Sequence, residues 1–251
     1  MRAIILAAGR GSRMGKATDR QPKCLTVLAG KSLLQWQLDA LRQAGIKKVA
    51  VVRGYQSQLL KDSGYVVFDN PRWAETNMVM SLTCAEVWLD SFPCIVSYSD
   101  IVYHPRAVEA LMKSEGLLSI TYDRLWYSLW KERFADPLSD AETFRTGEDG
   151  ALLEIGERRS TLDSIEGQYM GLLKFRPEGW ARVKSFLDKT PPAQKDALDM
   201  TGLLRRLLGE GMKISTVPVE GGWCEVDNEK DLSMYERKLQ FKGLWAHDWR
   251  F

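Results

Sequence analysis

Four charged side chains stand where phosphoryl-transfer chemistry would need them. Arg13 lies in a glycine-rich loop after the first apolar run, Lys23 follows ten residues later, and Asp100 and Asp227 each follow a short apolar segment. Fixed cations beside a triphosphate neutralise the charge that grows on a pyrophosphate leaving group. Carboxylate oxygens suit Mg²⁺, which bridges phosphate oxygens. We therefore predict Arg13 and Lys23 as catalytic residues, and Asp100 and Asp227 as ligands of Mg²⁺.

A purely structural role is also open for each of these residues. Arg13 and Lys23 would then be solvated loop charges, and Asp100 a turn residue. Asp227 would be the N-cap of the final helix, a position where aspartate is common.

The glycine-rich loop has the sequence Leu6-Ala7-Ala8-Gly9-Arg10-Gly11-Ser12-Arg13-Met14-Gly15. Small residues after a strand let the backbone approach a ligand closely, and successive N–H groups can bind phosphate oxygens. A dinucleotide fold would require Gly-x-Gly-x-x-Gly, which Met14 interrupts, and no Gly-Lys-Ser/Thr follows at the distance that a P-loop requires. The loop therefore predicts a triphosphate site of another kind.

Strands and helices alternate along the first half of the chain. The apolar runs predict strands at Arg2–Leu6, Lys48–Val52, Tyr65–Asp69, Cys94–Ser99, Leu117–Asp123, Gln168–Phe175 and Ile214–Val219. The helical patterns are Ser32–Ala44, Gln56–Asp62, Asn77–Leu89, Pro105–Ser114, Met200–Gly209 and Glu229–Leu239, whereas Arg124–Gly150 is predicted to be irregular. Short apolar strands between helices predict an α/β fold with a doubly wound, mostly parallel sheet, whose ligands bind at the carboxyl ends of the strands.

Nothing in the sequence marks a linker or an internal repeat, so we expect a single domain over residues 1–251. Its nucleotide-binding part would span about 1–123. An acceptor-binding part, a substrate-facing insertion, would span about 124–228, and a C-terminal helix and tail 229–251. The tail, Leu244–Phe251 with Trp245 and Trp249, is either packed on the domain or part of a subunit contact in a homo-oligomer.

Composition excludes several classes of function. The net charge is +2, from 35 basic and 33 acidic residues, which argues against nucleic acid or an anionic membrane as the main partner. No apolar run approaches the roughly 18 residues of a spanning helix, so we expect a soluble cytoplasmic protein. The four cysteines lack zinc-ligand spacing and are expected to be free thiols, and two histidines give little material for a histidine-based triad.

Three motifs together resemble the nucleotidyltransferases that make activated sugars and alcohols. They are Leu-Ala-Ala-Gly-x-Gly-Ser-Arg-Met in the loop, Pro-Lys-x-Leu around Lys23, and Gly30-Lys31-Ser32-Leu33-Leu34. The resemblance implies the Rossmann-like nucleotidyltransferase fold. It also implies that the nucleotide is bound by Leu6, Ala7, Ala8, Gly9, Gly11 and Ser12, with Arg13 and Lys23 on the phosphates and metal-binding aspartates at the positions of Asp100 and Asp227.

Further segments distinguish subgroups of this family. The Glu-Lys-Pro motif of sugar-1-phosphate enzymes is missing, since the nearest segment is Gly156-Glu157-Arg158-Arg159. Val52–Tyr55, Glu75–Leu82, Gln168–Leu172 and Gly222–Asp227 look like the phosphocholine cytidylyltransferase-like group, which includes enzymes for aminoethylphosphonate and phosphoglutamine. That likeness implies nucleotide contacts from Gly54, Tyr55, Asn77 and Ser81. One departure is Tyr98, which stands where relatives that handle phosphocholine often have the first aspartate of Asp-x-Asp.

The resemblance implies Mg²⁺-dependent transfer of CMP from CTP to a small phosphorylated acceptor. Aromatic residues in the second half would contact a cationic head group, and we predict acceptor contacts from Tyr169, Trp223, Trp126 and Asp199. Acids that could pair with an amine are Asp136, Asp140, Glu142, Asp196 and Asp199. Core packing is the competing role for the aromatic residues. A sugar-1-phosphate nucleotidyltransferase and a non-catalytic nucleotide-binding domain are the alternative functions.

Overall fold

A seven-stranded mixed sheet forms the centre of the computed structural model, which describes residues 1–61, 64–158, 161–240 and 245–251, the side chains of 16 and 17 excepted. The strands in chain order are β1 (Arg2–Ala7), β2 (Val27–Leu28), β3 (Lys31–Ser32), β4 (Val49–Arg53), β5 (Val66–Asp69), β6 (Cys94–Tyr98), β7 (Ile101–Tyr103), β8 (Leu118–Asp123), β9 (Glu142–Thr146), β10 (Leu152–Arg158), β11 (Gln168–Phe175), β12 (Ser215–Val219) and β13 (Trp223–Glu225). The order in the sheet is β12-β8-β11-β6-β1-β4-β5.

Most neighbouring strands of this sheet run in parallel. β1 pairs in parallel with β4 and β6, β4 with β5, and β12 with β8. β11 is the exception, since it runs antiparallel to both β6 and β8. The prediction of a mostly parallel sheet is confirmed, and the reversed strand of this sheet lies within the segment predicted to bind the acceptor.

Helices cover both faces of the sheet. They are α1 (Leu33–Gln43), α2 (Met78–Thr83), α3 (Glu86–Leu89), α4 (Pro105–Lys113), α5 (Trp126–Arg133), α6 (Pro177–Lys189), α7 (Pro192–Ala197), α8 (Met200–Gly209) and α9 (Glu229–Lys238). Leu38, Val108 and Tyr235 pack on one face, and Val183 and Leu203 on the other. Two buried clusters on opposite faces confirm the doubly wound arrangement.

Several predicted elements differ from the observed ones. The helix expected at Asn77–Leu89 is broken at Cys84 and Ala85 into two short helices. Among the described residues, the segment expected at Gln56–Asp62 forms only a 3-10 turn, Ser57–Leu59, and Asp62 lies outside them. The expectation of an irregular segment at Arg124–Gly150 is wrong, because it contains α5 and β9. Contacts between residues distant in sequence decide these elements, and a local sequence pattern does not contain that information.

A small second sheet joins the two halves of the chain beside the main sheet. β13 pairs antiparallel with β7, with Glu225 opposite Ile101. One residue further on, the Val226 N–H donates to the Asp100 carbonyl at 2.9 Å. This pairing holds the segment around Asp227 against the carboxyl end of β6.

The C-terminal tail packs on the same domain. His247 and Trp249 are 1% and 0% exposed, and the Gly222 N–H donates to the Ala246 carbonyl at 2.8 Å. The first residue of the tail as delimited from sequence, Leu244, lies outside the described residues. Of the two roles left open for this segment, the described part takes the packed one. None of the helices in the described ranges is both long and apolar enough to span a membrane.

Candidate active site

The four charged residues singled out from the sequence meet at the carboxyl ends of the central strands. Lys23 Nζ lies 2.8 Å from Asp100 Oδ2 and 3.0 Å from Asp227 Oδ1. An Arg13 guanidinium nitrogen is 2.8 Å from the same Asp227 oxygen. Burial alone would lower the pKa of Lys23, but the carboxylates of Asp100, Asp227 and Glu225 raise it above its ordinary value. The lysine is therefore a fully charged group held among acids.

Asp227 does not cap the final helix. The side chain of Asn228 accepts the N–H groups of Lys230 and Asp231 at 2.9 and 3.1 Å, which makes Asn228 the N-cap of α9. Asp227 points instead toward the cations, and its side chain is 8% exposed. Burial alone would raise the pKa of Asp227, but Lys23 and Arg13 hold it below its ordinary range. The carboxylate is therefore ionised and available as a ligand.

Arg133, a buried arginine that was not predicted from the sequence, contacts the carboxylates of this cluster. The Arg133 side chain is 0% exposed. Its guanidinium lies 3.1 Å from Glu225 Oε2, 3.1 Å from Asp227 Oδ2 and 3.2 Å from Asp231 Oδ2. Asp231 in turn accepts the backbone N–H of Asp227 at 2.8 Å. The planar fork of an arginine suits such multiple carboxylate contacts and fixes their orientation.

Three carboxylates here fit a divalent cation. Oxygens of Asp100, Glu225 and Asp227 lie within 4.8 Å of one another. Asp100 Oδ1 is buried and has no hydrogen-bond partner among the described residues. Burial and the charge of Asp227 raise the pKa of Glu225 to about 7, which a bound cation would reverse. An oxygen-only donor set of this kind suits Mg²⁺.

Glu225 was not predicted, although a local signal for it exists. Glu225 and Asp227 are two residues apart, so an extended strand end directs both side chains to the same face. No comparable signal exists for Arg133, because α5 brings it to the site from a distant part of the sequence.

The glycine-rich loop is shaped around Lys23. Gly11 has φ +72°, and a Cβ added there would lie 2.7 Å from Lys23 Cβ. The Gly11 carbonyl accepts the Met14 N–H at 3.0 Å and the Thr18 hydroxyl at 3.1 Å. Met14 is 1% exposed and anchors the loop in the core. Glycine at position 11 is therefore needed for both the backbone conformation and the close passage of the lysine.

The loop forms one wall of a cleft of about 740 Å³. Lining residues are Leu6, Ala8, Gly9, Gly11, Arg13, Lys23, Trp73, Thr76, Asn77, Met78, Ser81, Tyr98, Ser99 and Asp100. The structure thus brings six of the predicted nucleotide-binding residues to one cleft, together with both predicted cations. Asn77 also caps α2 through the Met78 N–H, and Ser81 accepts from Asn70, so both side chains are held in place.

The described wall of this cleft does not include four other residues predicted to bind nucleotide. Ala7 packs in the core, and Ser12 begins the 3-10 turn of the loop. Gly54 serves close packing, because a Cβ there would lie 2.4 Å from Trp73 Cβ and 2.8 Å from the Ala8 carbonyl. Tyr55 donates its hydroxyl to the Asp19 carbonyl at 2.7 Å. Ala7, Gly54 and Tyr55 therefore shape or support the cleft from behind.

A second cavity, of about 940 Å³, adjoins the cleft. Lining residues are Arg13, Met78, Tyr98, Trp130, Asp140, Glu142, Thr143, Phe144, Ile155, Arg158, Gln168, Tyr169, Asp199, Thr201, Glu225 and Asp227. Arg13, Met78 and Tyr98 line both spaces. The predicted metal carboxylate Asp227 and the newly found Glu225 face this cavity, so the carboxylate cluster lies at the junction.

Two of the four predicted acceptor contacts reach this second cavity. Tyr169 and Asp199 line it, and Asp199 also caps α8 through the Gly202 N–H at 2.7 Å. Trp126 and Trp223 do not belong to its described wall; they are 4% and 1% exposed and belong to the core. Apolar packing outweighed a ligand role for these two indoles, as is common for large aromatic side chains.

The second cavity is rich in acids. Burial raises the pKa of Glu142, and the charges of Asp199 and Asp140 raise it further. Arg158 lines the same cavity, and it is the residue paired with Glu142 across the antiparallel strands β9 and β10. A ligand carrying a positive charge would relieve the repulsion among these carboxylates.

Known proteins resemble this chain over most of its length. The family model described as the MobA-like NTP transferase domain matches residues 3–159. A CTP:phosphoglutamine cytidylyltransferase from Campylobacter jejuni is 36% identical, with 95% of this chain and 100% of that protein covered. A CMP-5'-(3-aminopropyl)phosphonate synthase from Streptomyces rubellomurinus is 28% identical, with 94% of this chain and 36% of that protein covered.

A solved structure shares the fold. The inositol-1-phosphate CTP transferase from T. maritima superimposes with a TM-score of 0.73, covering 98% of this chain and 97% of that chain, at 21% identity. At this identity the likeness establishes the architecture of the sheet and its helices alone.

Proposed function

The chain belongs to the family of MobA-like NTP transferases and is a nucleotidyltransferase, and from this premise we propose that it transfers CMP from CTP to a small phosphate or phosphonate that carries an amine, releasing pyrophosphate. One observation supports the proposal most directly. Arg13, Lys23 and the three clustered carboxylates lie at the junction between the cleft of the glycine-rich loop and the second, acid-lined cavity. Donor and acceptor bound in these two spaces would meet at Arg13, which lines both.

In this proposal the triphosphate lies along the glycine-rich loop. Gly9 and Gly11 let the phosphates approach the backbone, and Lys23 and Arg13 meet the β- and γ-phosphates. Trp73 and Met78 line the same cleft and offer apolar surface to the base. Arg13 and Met78 also line the acceptor cavity, so the two bound substrates would share these residues.

Mg²⁺ would be held by Asp100, Asp227 and Glu225, whose oxygens cluster at the junction. When bound, it would supply Lewis-acid stabilisation of the negative charge that develops on the phosphate oxygens. Arg133 would keep the Glu225 and Asp227 carboxylates oriented from behind.

The reaction would be a direct displacement at the α-phosphorus of CTP. An anionic oxygen of the acceptor forms a bond to that phosphorus, and the bond to the β-phosphate oxygen breaks, so that pyrophosphate carries away the electron pair. The nucleophile is already an anion, so no general base is required. Positioning and neutralisation of charge by Arg13 and Lys23 would supply most of the rate.

The acid-lined cavity supports an acceptor with an amine. Asp140, Glu142 and Asp199 offer carboxylates to N–H donors, and the ring of Tyr169 offers a face to a cation, worth about 0.5–2 kcal/mol. Arg158 in the same cavity accommodates an acceptor that carries a carboxylate as well. Aminoethylphosphonate, phosphocholine and an amino-acid phosphate such as phosphoglutamine are the candidate acceptors. The relatives named for phosphoglutamine and aminopropylphosphonate chemistry support the same class.

The proposal is tested by pyrophosphate release with Mg²⁺ and each of CTP, UTP, ATP and GTP, crossed with the three candidate acceptors and a set of sugar 1-phosphates. We expect turnover with CTP and an amine-bearing acceptor. Turnover confined to sugar 1-phosphates would identify the enzyme as a sugar-1-phosphate nucleotidyltransferase. Equal kcat/KM values for UTP and CTP would contradict the proposed preference for CTP.

A matched pair of variants tests the role of the acidic cavity. Glu142→Gln should raise the KM for an amine-bearing acceptor while leaving the KM for CTP near the wild-type value. Glu148→Gln is the control, because Glu148 is exposed on the turn between β9 and β10. Equal acceptor KM values for the two variants would count against amine recognition in this cavity.

A further inference from the structure

Lys23 occupies the space between the two aspartates predicted to bind the metal. Its Nζ is 2.8 Å from Asp100 Oδ2 and 3.0 Å from Asp227 Oδ1, and its side chain is 7% exposed. Gly11 lies against the aliphatic part of the side chain, so the lysine is guided to this position. The ammonium therefore lies within the carboxylate cluster.

A divalent cation would bind among the carboxylates that surround this ammonium, since ligand oxygens of Asp100, Glu225 and Asp227 lie within 4.8 Å of one another. Mg²⁺ binds carboxylate oxygens at about 2.0–2.1 Å, well inside the contact distance of an ammonium. An ammonium and a divalent cation sharing these oxygens would also repel each other at a separation of a few ångströms. Tight metal binding and the Lys23 contacts would therefore weaken each other.

The nucleotide cleft gives Lys23 a second set of partners. The lysine lines the cleft beside Gly9, so phosphate oxygens along the loop would compete with the aspartates for its ammonium. We propose that Lys23 is an internal counter-ion that holds the Asp100 and Asp227 oxygens until nucleotide phosphates draw it away, so that metal and nucleotide bind with positive coupling. This inference rests on the proposed function, because it takes the cluster as the metal site and the cleft as the phosphate site.

Neighbouring cations differ from Lys23 in ways that sharpen the inference. Arg133 contacts Asp227 through Oδ2, the oxygen turned away from Lys23. Arg13 contacts Asp227 Oδ1 at 2.8 Å, but its side chain is 68% exposed, so water screens the interaction. Lys23 is thus the buried cation that directly blocks the front oxygens of both aspartates.

The experiment is a titration of nucleotide-free protein with Mn²⁺, with free Mn²⁺ followed by electron paramagnetic resonance. Lys23→Met and Lys23→Gln should each bind Mn²⁺ about tenfold or more tightly than the wild type, although both lose turnover. Arg13→Met should give a smaller gain. Lys31→Met, which removes an exposed lysine paired with Asp39, should leave the affinity unchanged.

A second titration adds the non-hydrolysable analogue α,β-methylene-CTP. The analogue should increase Mn²⁺ affinity by a larger factor in the wild type than in either Lys23 variant, because the variants have no counter-ion to displace. Equal Mn²⁺ affinity of the wild type and both variants without nucleotide would overturn the inference and leave the proposed function standing. Absence of Mn²⁺ binding in every protein, even with the analogue, would overturn the metal site and the inference together.

Discussion

Asp100 and Asp123 lie at the same edge of the sheet, but their carboxylates differ in the number of hydrogen-bond partners that they have. Asp123 ends β8 and is 0% exposed. Its Oδ1 accepts the Leu125 and Gly221 N–H groups at 2.9 and 2.8 Å, and its Oδ2 accepts the Trp223 indole N–H at 2.9 Å and lies 3.0 Å from His247 Nε2. Asp100 follows β6, contacts Lys23 through one oxygen, and has no described hydrogen-bond partner for the other.

The difference separates a structural carboxylate from a candidate metal ligand. Four donors fill the lone pairs of Asp123 and join β8, the segment before β13 and the C-terminal tail. A buried oxygen without a partner, as in Asp100, costs free energy unless something binds it. Burial of a carboxylate oxygen alone therefore does not distinguish Asp100 from Asp123, whereas the unfilled capacity of Asp100 to accept a hydrogen bond does.

The largest expected effect is on activity at Asp100 and Asp227, the two predicted metal ligands. Asp100→Asn and Asp227→Asn should each lower kcat/KM on the order of 10³-fold, since a metal contributes several kcal/mol to the transition state. Helix α9 should remain intact in Asp227→Asn, because Asn228 is its cap. Pyrophosphate release against Mg²⁺ concentration and far-UV circular dichroism measure the two effects. A variant with a normal response to Mg²⁺ would remove that aspartate from the metal site.

The loop cations should show the next largest effect. Arg13→Ala and Lys23→Ala should each lower kcat/KM on the order of 10²-fold, because each contact to developing charge is worth about that much. The fold should survive in both, as monitored by circular dichroism. Lys31→Ala is the control, since its partner Asp39 lies outside the site. Wild-type turnover in both loop variants would leave the cleft without its assigned cations.

Substitution of Asp123, whose carboxylate oxygens both have hydrogen-bond partners, should change the stability of the protein rather than its activity. Asp123→Asn should lower the free energy of unfolding by about 2–4 kcal/mol, because an amide cannot accept from all four donors. The kcat/KM of the folded variant should stay near the wild-type value. Urea unfolding measures the change, with the exposed Asp149→Asn as control. A stable but inactive Asp123→Asn enzyme would show that the two carboxylates are not distinct in role.

The smallest effect concerns Arg133, which orients the carboxylates from behind. Arg133→Lys keeps the charge but loses the fork that reaches Glu225, Asp227 and Asp231. Mn²⁺ affinity in the presence of nucleotide should fall by about 10–100-fold, the usual cost of losing such an orienting group. Arg237→Lys, on the exposed side of α9, is the control. Unchanged affinity would mean that the carboxylates orient themselves without the arginine.

Local patterns recovered the parts of the fold whose signal lies within a few residues. The bounds of β11 and α8 match the prediction, and β1 differs by one residue, because apolar runs and a stopping glycine mark them. The β9–β10 hairpin was missed because its strands pack on α8 and β11, which are distant in sequence. α6 was missed although it carries a local signal, with Pro177 at its start and Trp180, Val183 and Leu187 at helical spacing. Trp126 and Trp223 were assigned to a ligand for a related reason: an aromatic side chain in a polar segment has the same local signature in a core and in a binding wall.

The sequence by itself predicted the glycine-rich loop, two cations and two of the three clustered carboxylates as site residues, because residue type and position after a strand indicate their chemistry. Only the tertiary structure decided which of these groups contact one another and which of their oxygens already have a partner. The pairing of β13 with β7 brings Glu225 beside Asp100, and α5 carries Arg133 behind them. Such contacts depend on which strands and helices pack together, and hydrogen-bond capacity that is filled or left open becomes visible only when every neighbour is in place.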